Sequence, residues 1–251
     1  MQKNQTNILE EDIQKGIITP VSRRKFLNYS GLSAAALIFA TSCKKEITSP
    51  DELTLADEEA LMGRNENPAN VVNLGRGDIG ILNYAYALEQ LEAAFYIQVV
   101  NSGYYAGAVP KEKEYLKDIR DHEIVHREFF KRVLGNRAIR TLEFDFSSIM
   151  FDSRTSVLGT AKAFEDLGVS AYNGAGELLE SPDYLLFAGK IVSVEARHAA
   201  TLRDLISYGS FADSTAVNAQ GLDLYRTPPE VLAIADKYIV TRILAQNLPT
   251  S

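Results

Sequence analysis

At 251 residues and 46% hydrophobic content, the chain can form one large or two small domains and has ample material for a buried core. Its formal charge of −7 argues against a nucleic-acid partner. Residues 1–43 carry five Lys/Arg against three Asp/Glu, so the remainder, with 21 against 30, stands at −9 and favours cations near its surface. Cys43 is the sole cysteine, which excludes an intramolecular disulfide and a thiolate metal cage.

The chain opens with an address. Ser22-Arg23-Arg24-Lys25-Phe26-Leu27 precedes a short apolar run from Leu32 to Ala40, the pattern of a signal peptide, and too short to span a bilayer comfortably. The paired arginines followed by Phe-Leu resemble a twin-arginine export signal, and Ala40-Thr41-Ser42-Cys43 resembles a lipoprotein cleavage box with Ala40 where a larger aliphatic is usual. These residues predict export to the periplasm or cell envelope, with a membrane anchor through a lipidated Cys43. Residues 44–77 are polar and broken by Gly, Pro and Asn, and read as a tether with one short helix from Leu53 to Met62.

Four long helices follow over residues 78–208. Asp78 is placed to cap the first, which runs through Ile79, Leu82, Tyr86, Leu88, Leu91, Phe95 and Val99. Pro110 opens the second, where Tyr115, Ile119, His122, Val125, Phe129 and Val133 recur at helical spacing up to Gly135. Residues 136–153 lack that period and suit a long connection packed along a bundle, as in ferritin-like folds with their single crossover between second and third helices. The third helix runs from about Thr155 through Phe164, Leu167 and Tyr172 towards Leu179. Ser181-Pro182-Asp183 starts the fourth, which continues through Leu186, Ile191, Val194 and Leu202. Residues 209–251 form an extension with a short accessory helix, Glu230 to about Leu244.

Two of the three histidines sit in Glu-x-x-His, at Glu123/His126 and Glu195/His198. Three residues on a helix turn the chain by about 300° and advance it by about 4.5 Å, so each pair shares a face. Glu89 on the first helix and Glu165 on the third are each followed seven residues later by Tyr96 and Tyr172, again on one face. A single Glu from each of two helices with Glu-x-x-His from each of the other two is the ligand set of a dinuclear carboxylate site in a bundle. Carboxylates bridge hard cations, and imidazole suits iron or manganese. Burying four carboxylates without cations would be very costly.

Leu88-Glu89-Gln90-Leu91-Glu92, Phe95-Tyr96, His122-Glu123-x-x-His126-x-x-Phe129, Gly168 to Ala175 and Val194-Glu195-Ala196-Arg197-His198 resemble the ferritin-like domain of desiccation-related and stress-associated proteins. The resemblance covers about half of the chain. It implies an all-α, antiparallel four-helix bundle holding two Fe or Mn ions. Glu123 and Glu195 would bridge the metals, Glu89 and Glu165 would be terminal ligands, and His126 and His198 would bind one metal each. Tyr96 and Tyr172 would be hydrogen-bonding or redox-active neighbours of the ligands, although either could be a core aromatic whose hydroxyl finds a partner. Glu92, one turn from Glu89, has no acidic counterpart in the second half and is a further ligand or a substitute for Glu89.

The function expected is an exported dinuclear-metal oxidoreductase, ferroxidase-like or peroxide-decomposing, serving oxidative or desiccation stress, with metal ions and dioxygen or peroxide as partners. The oligomeric state is open, with a homodimer one arrangement. A non-enzymatic stress module stapled by metal uses the same ligands. His122-Glu123-Ile124-Val125-His126 also fits the H-E-x-x-H pattern of zinc proteases, but no third histidine ligand is evident and Glu195/His198 is left without a purpose. His122 otherwise reads as a satisfied buried histidine or a surface one rather than a ligand.

Overall fold

A computed structural model of the chain describes residues 70–250. The stretch expected to be an export signal, Cys43, the short helix expected at Leu53 to Met62 and most of the expected tether lie outside the described residues. Two helical hairpins make the body. Helix α1 (Gly77–Val100) packs on α3 (Pro110–Leu134), with the one-turn α2 (Gly103–Gly107) in their connection, and α4 (Arg154–Gly176) packs on α5 (Pro182–Ile206). Leu82 near the start of α1 and Leu134 at the end of α3 share one apolar cluster, while Tyr104 beyond the end of α1 bonds Glu112 at the start of α3, so the pair is antiparallel. Among the described residues no helix is long and apolar enough to cross a membrane.

Helix α1 is the central element. It buries 17 of its 24 residues, and its small Ala85, Ala87 and Ala93 let neighbours approach from every side. A helix apolar all round is one covered all round. Asp78 does not cap this helix as expected. Arg76 holds the N-cap position, and the Asp78 carboxylate instead accepts the backbone N–H groups of Glu180 and Ser181 at 2.8 and 3.0 Å. Asp78 therefore ties α1 to the start of α5, where Pro182 fills the first helical position.

The inward stripe of α3 differs from the expected one. It runs through Leu116, Ile119, Glu123, His126, Phe130 and Leu134, whereas Val125 is 63% exposed and His122 lies on the surface. A helix turns by about 100° per residue. Facing Glu123 and His126 inward thus swings residues 122 and 125 out. On α5 the same reasoning leaves Leu186 exposed, while Ile191, Glu195, His198 and Leu202 point in.

The crossover between the hairpins, residues 135–153, is stitched down on both sides. Asn83 and Gln90, two turns apart on α1, accept the N–H groups of Ile139 and Leu142 and donate to the carbonyls of Arg137 and Arg140. On its far side Glu143 pairs with Val240 and Thr241, and Asp145 N–H donates to Tyr238. Leu142 and Ile149 are buried beneath.

The accessory helix is shorter than expected. Helix α6 (Pro228–Ala235) opens on a Thr227–Glu230 capping box, gives way to a 3-10 turn at Asp236–Tyr238, and is followed by a strand, β2 (Arg242–Leu244). Strand β2 pairs in parallel with β1 (Val71–Asn73), so the last residues of the segment read as tether belong to the folded body. The β-branched and extended character of Val71-Val72 and Ile239-Val240 favours strand over helix. The loop between α5 and α6 is clamped by Arg203, 1% exposed, whose guanidinium donates to Asp166, Asp213 and Thr215.

Candidate metal centre

The four long helices bring all six expected ligand residues to one buried point. Glu89 comes from α1, Glu123 and His126 from α3, Glu165 from α4, and Glu195 and His198 from α5. The four carboxylates are at most 1% exposed, His198 is 4% and His126 9%. Their donor atoms form two sets, Glu89, Glu123, His126 and Glu195, and Glu123, Glu165, Glu195 and His198, each with its ligand atoms within 4.8 Å of one another. Glu123 and Glu195 belong to both. Two overlapping sets that share two carboxylates are the shape of a site for two cations.

The hydrogen bonding supports that shape. Tyr96 of α1 donates to Glu165 Oε1 of α4 at 2.6 Å, and Tyr172 of α4 donates to Glu89 Oε1 of α1. Each tyrosine reaches across to the other helix's glutamate, rather than serving the one on its own face. The second oxygens, Glu89 Oε2 and Glu165 Oε2, have no hydrogen-bond partner, nor do both oxygens of Glu123, Glu195 Oε1 and His126 Nδ1. Several of these atoms are close without bonding: His126 Nδ1 lies 2.7 Å from Glu195 Oε1, and His198 Nδ1 lies 2.9 Å from Glu123 Oε1. His198 Nδ1 meets Glu195 Oε2 at 3.0 Å with good hydrogen-bond geometry.

Without a cation this arrangement is electrostatically strained. Burial, then the neighbouring Glu195 and Glu165 charges, push Glu123 well above the usual carboxylate range. Burial pushes Glu165 up to about 7 against the pull of His198. Burial would also raise Glu195, but the His126 and His198 imidazoles beside it hold it down to about 2. Burial opposes charging of His198 as well, and the Glu165 charge with the Glu123 and Glu195 carboxylates overrides it, taking the ring up to about 12. His126 is shifted upward for the same reason by Glu123, Glu195 and Glu89. Two imidazoles face four carboxylates, so the pocket has the negative charge and unpartnered oxygens that a pair of divalent cations would satisfy. The residues fit such a pair.

The sequence pattern of the ferritin-like domain matches residues 77–208, more than half of the chain. The chain belongs to the ferritin-like domain family. No curated protein matches it. The matched span of the ferritin-like domain begins with α1 and ends just after α5, leaving the β1–β2 pair and α6 as additions to it.

Within this ferritin-like domain, Glu92 and His122 stand apart from both ligand sets. Glu92 is buried, and burial with the Glu165, Glu123, Glu89 and Glu195 charges raises its carboxyl well above the usual range. The offset that relates Glu89 to Glu165 relates Glu92 to Gly168, and a Cβ on Gly168 would stand 3.0 Å from Glu92 Oε1. The second half thus omits a side chain where the first half needs room for a carboxylate. Glu89, not Glu92, lies in the first ligand set. The zinc-protease arrangement does not assemble: His126 Nδ1 faces the carboxylates, but His122 lies outside and meets His198, its Nδ1 2.8 Å from His198 Nε2. The sequence places Tyr96 and Tyr172 beside the candidate ligands but not their exchange of partners between helices, and it carries no signal for the His122–His198 contact.

Proposed function

We propose that this ferritin-like domain holds two transition-metal ions, iron or manganese, and acts as a redox centre towards dioxygen or peroxide in protection against oxidative or drying stress. The observation that carries this reading is the pair of overlapping ligand sets with shared, unpartnered Glu123 and Glu195 oxygens. Bound there, the ions would supply electrons and open positions for dioxygen or peroxide.

The chain's own residues do the rest. Glu123 and Glu195 would bridge, Glu89 and Glu165 would each offer Oε2, and His126 and His198 would offer Nδ1. Tyr96 and Tyr172 hold the Oε1 atoms of Glu165 and Glu89, which fixes each terminal carboxylate in one orientation. Phe95 packs edge-on against Tyr96 and Phe130 stacks on Tyr172, and all four rings are buried, so the tyrosines stand against a dry wall. The acidic pocket attracts cations and the dry wall strengthens every charge interaction inside it.

Loading with Fe(II) or Mn(II) under anaerobic conditions, followed by elemental analysis, is the test. Two ions per chain are expected, with loss in a variant carrying Glu123→Ala and Glu195→Ala. Stoichiometry near zero refutes the reading, and one zinc per chain with peptidase activity would replace it. Metal that raises thermal stability without consuming dioxygen or peroxide would leave a structural role. The leader supports a further proposal, that the protein is exported and anchored to the cell envelope through acylated Cys43. Globomycin treatment should shift the mass of the cellular form, and an unchanged mass would refute the anchor.

A further inference from the structure

The two halves of the site are not equivalent. His198 turns Nδ1 to the carboxylates, and its Nε2 lies 2.8 Å from Nδ1 of His122, with the two rings nearly parallel, 17° apart. His122 precedes Glu123, and the residue that precedes Glu195 in the other half is Val194, which has no nitrogen to offer. Among the described residues no side chain hydrogen-bonds His126 Nε2. One Glu-x-x-His pair is therefore backed by an imidazole and the other is not.

Proton counting fixes the direction of this contact. If Nδ1 of His198 is to offer a lone pair to a cation, the ring proton must sit on Nε2, which then donates to His122 Nδ1. His122 then accepts at Nδ1, with its own proton on Nε2. Such a bond fixes the tautomer and plane of a ligand histidine and strengthens it as a donor.

We propose that His122 is a positioning residue for His198, and that it makes the Glu165–His198 position bind metal more tightly than the Glu89–His126 position. The inference rests on the dinuclear reading above. His122 is exposed, so replacing it leaves the core packing intact.

The experiment is an anaerobic Co(II) titration of the untagged protein against a chromophoric chelator, with His122→Leu and His122→Asn alongside. Asn offers Oδ1 at about the place of the imidazole Nδ1. Wild-type protein should show two unequal dissociation constants. His122→Leu should weaken the tighter one by roughly 10- to 100-fold, the usual effect of removing a partner of a ligand histidine, and change the Co(II) visible spectrum, with the other constant unmoved. His122→Asn should restore both. In protein loaded with diamagnetic Zn(II), nitrogen NMR of the three histidines should show His122 protonated on Nε2 alone. The proposal is overturned if His122→Leu leaves both constants and the spectrum unchanged, if Asn fails to rescue, or if His122 carries its proton on Nδ1. Wild-type protein that binds no Co(II) would overturn the dinuclear reading and this inference with it, whereas normal binding with an inert His122→Leu overturns this inference alone.

Discussion

Glu165→Gln should make the metal-free protein more stable at pH 8 while weakening the metal-loaded one. Glu165 is fully buried, and burial raises its carboxyl from 4.5 to about 7. A carboxyl whose pKa is higher in the folded state contributes stability that is complete below its unfolded value and is lost as pH rises through its folded value. The metal-free wild type therefore loses stability between about pH 4.5 and 7. At ~1.4 kcal/mol per pH unit, that interval corresponds to about 3 kcal/mol. Glutamine keeps the shape and an oxygen to accept the Tyr96 hydroxyl but has no charge to bury. With chelator present, the variant should match the wild type near pH 4 and exceed it at pH 8 by about 3 kcal/mol, or roughly 6–12 °C in Tm for a domain of this size. Urea unfolding followed by circular dichroism at the two pH values measures it. Adding Mn(II) should reverse the order, because the variant lacks the Oε2 donor. Parallel stability curves for the two proteins in chelator, or a less stable variant at pH 8, would refute the claim that this carboxylate costs stability until a cation arrives.

Other perturbations probe the additions around the bundle. A Cβ on Gly174 would stand 1.9 Å from the Arg226 carbonyl oxygen, and that segment is held by Arg226 N–H and guanidinium bonds to Ser170 of 2.9 and 2.7 Å. Gly174→Ala gains about 1 kcal/mol of helix propensity but forces overpacking of about 1–3 kcal/mol and strains two hydrogen bonds of about 1 kcal/mol each. Net destabilisation of roughly 1–3 kcal/mol with faster proteolysis around residue 220 is expected, and wild-type stability would contradict the close approach. Arg203→Ala should cost roughly 2–4 kcal/mol, below the usual upper range for a broken buried pair because Asp166 and Asp213 keep some access to water. Metal stoichiometry should stay at two, and its loss would mean that the clamp reaches the centre.

Much of this was legible in the sequence because helices repeat on a fixed period. Glu-x-x-His twice, and two Glu residues at matched offsets, are enough to name six candidate residues once the bundle is assumed, and the structure brings all six side chains together in groups that could hold a metal ion. Helix starts at Pro110 and Pro182 were equally clear, since Pro suits a first helical turn. What failed was rotation. Helical spacing alone puts the apolar stripe of α3 through His122 and Val125, because a periodicity count favours apolar residues over charged neighbours, yet the buried Glu123 and His126 set the face. Local capping rules give Asp78 to its own helix, whereas its partners, Glu180 and Ser181, lie about 100 residues away just before α5. A three-residue parallel pair has too short a pattern to detect in sequence, and here Val71 and its partner Arg242 are widely separated along the chain. The Tyr96–Glu165 and Tyr172–Glu89 exchange is invisible to intrahelical spacing for the same reason: it is made between helices.

The β1–β2 pairing has a kinetic consequence. Val71 meets Arg242 across some 170 residues of intervening chain, and the crossover along α1 is closed by residues 238–241 from the same late segment. Contacts so distant in sequence form slowly. During synthesis at about 5–20 residues per second, α1 and α3 emerge well before the segment that completes their cover. The two hairpins can associate as they appear, but the final closure waits for the segment around Tyr238 to Leu244 to leave the ribosome. Strand closure would then mark completed assembly, and a chain cut after α5 would keep the ligand helices yet leave the central helix open along one side.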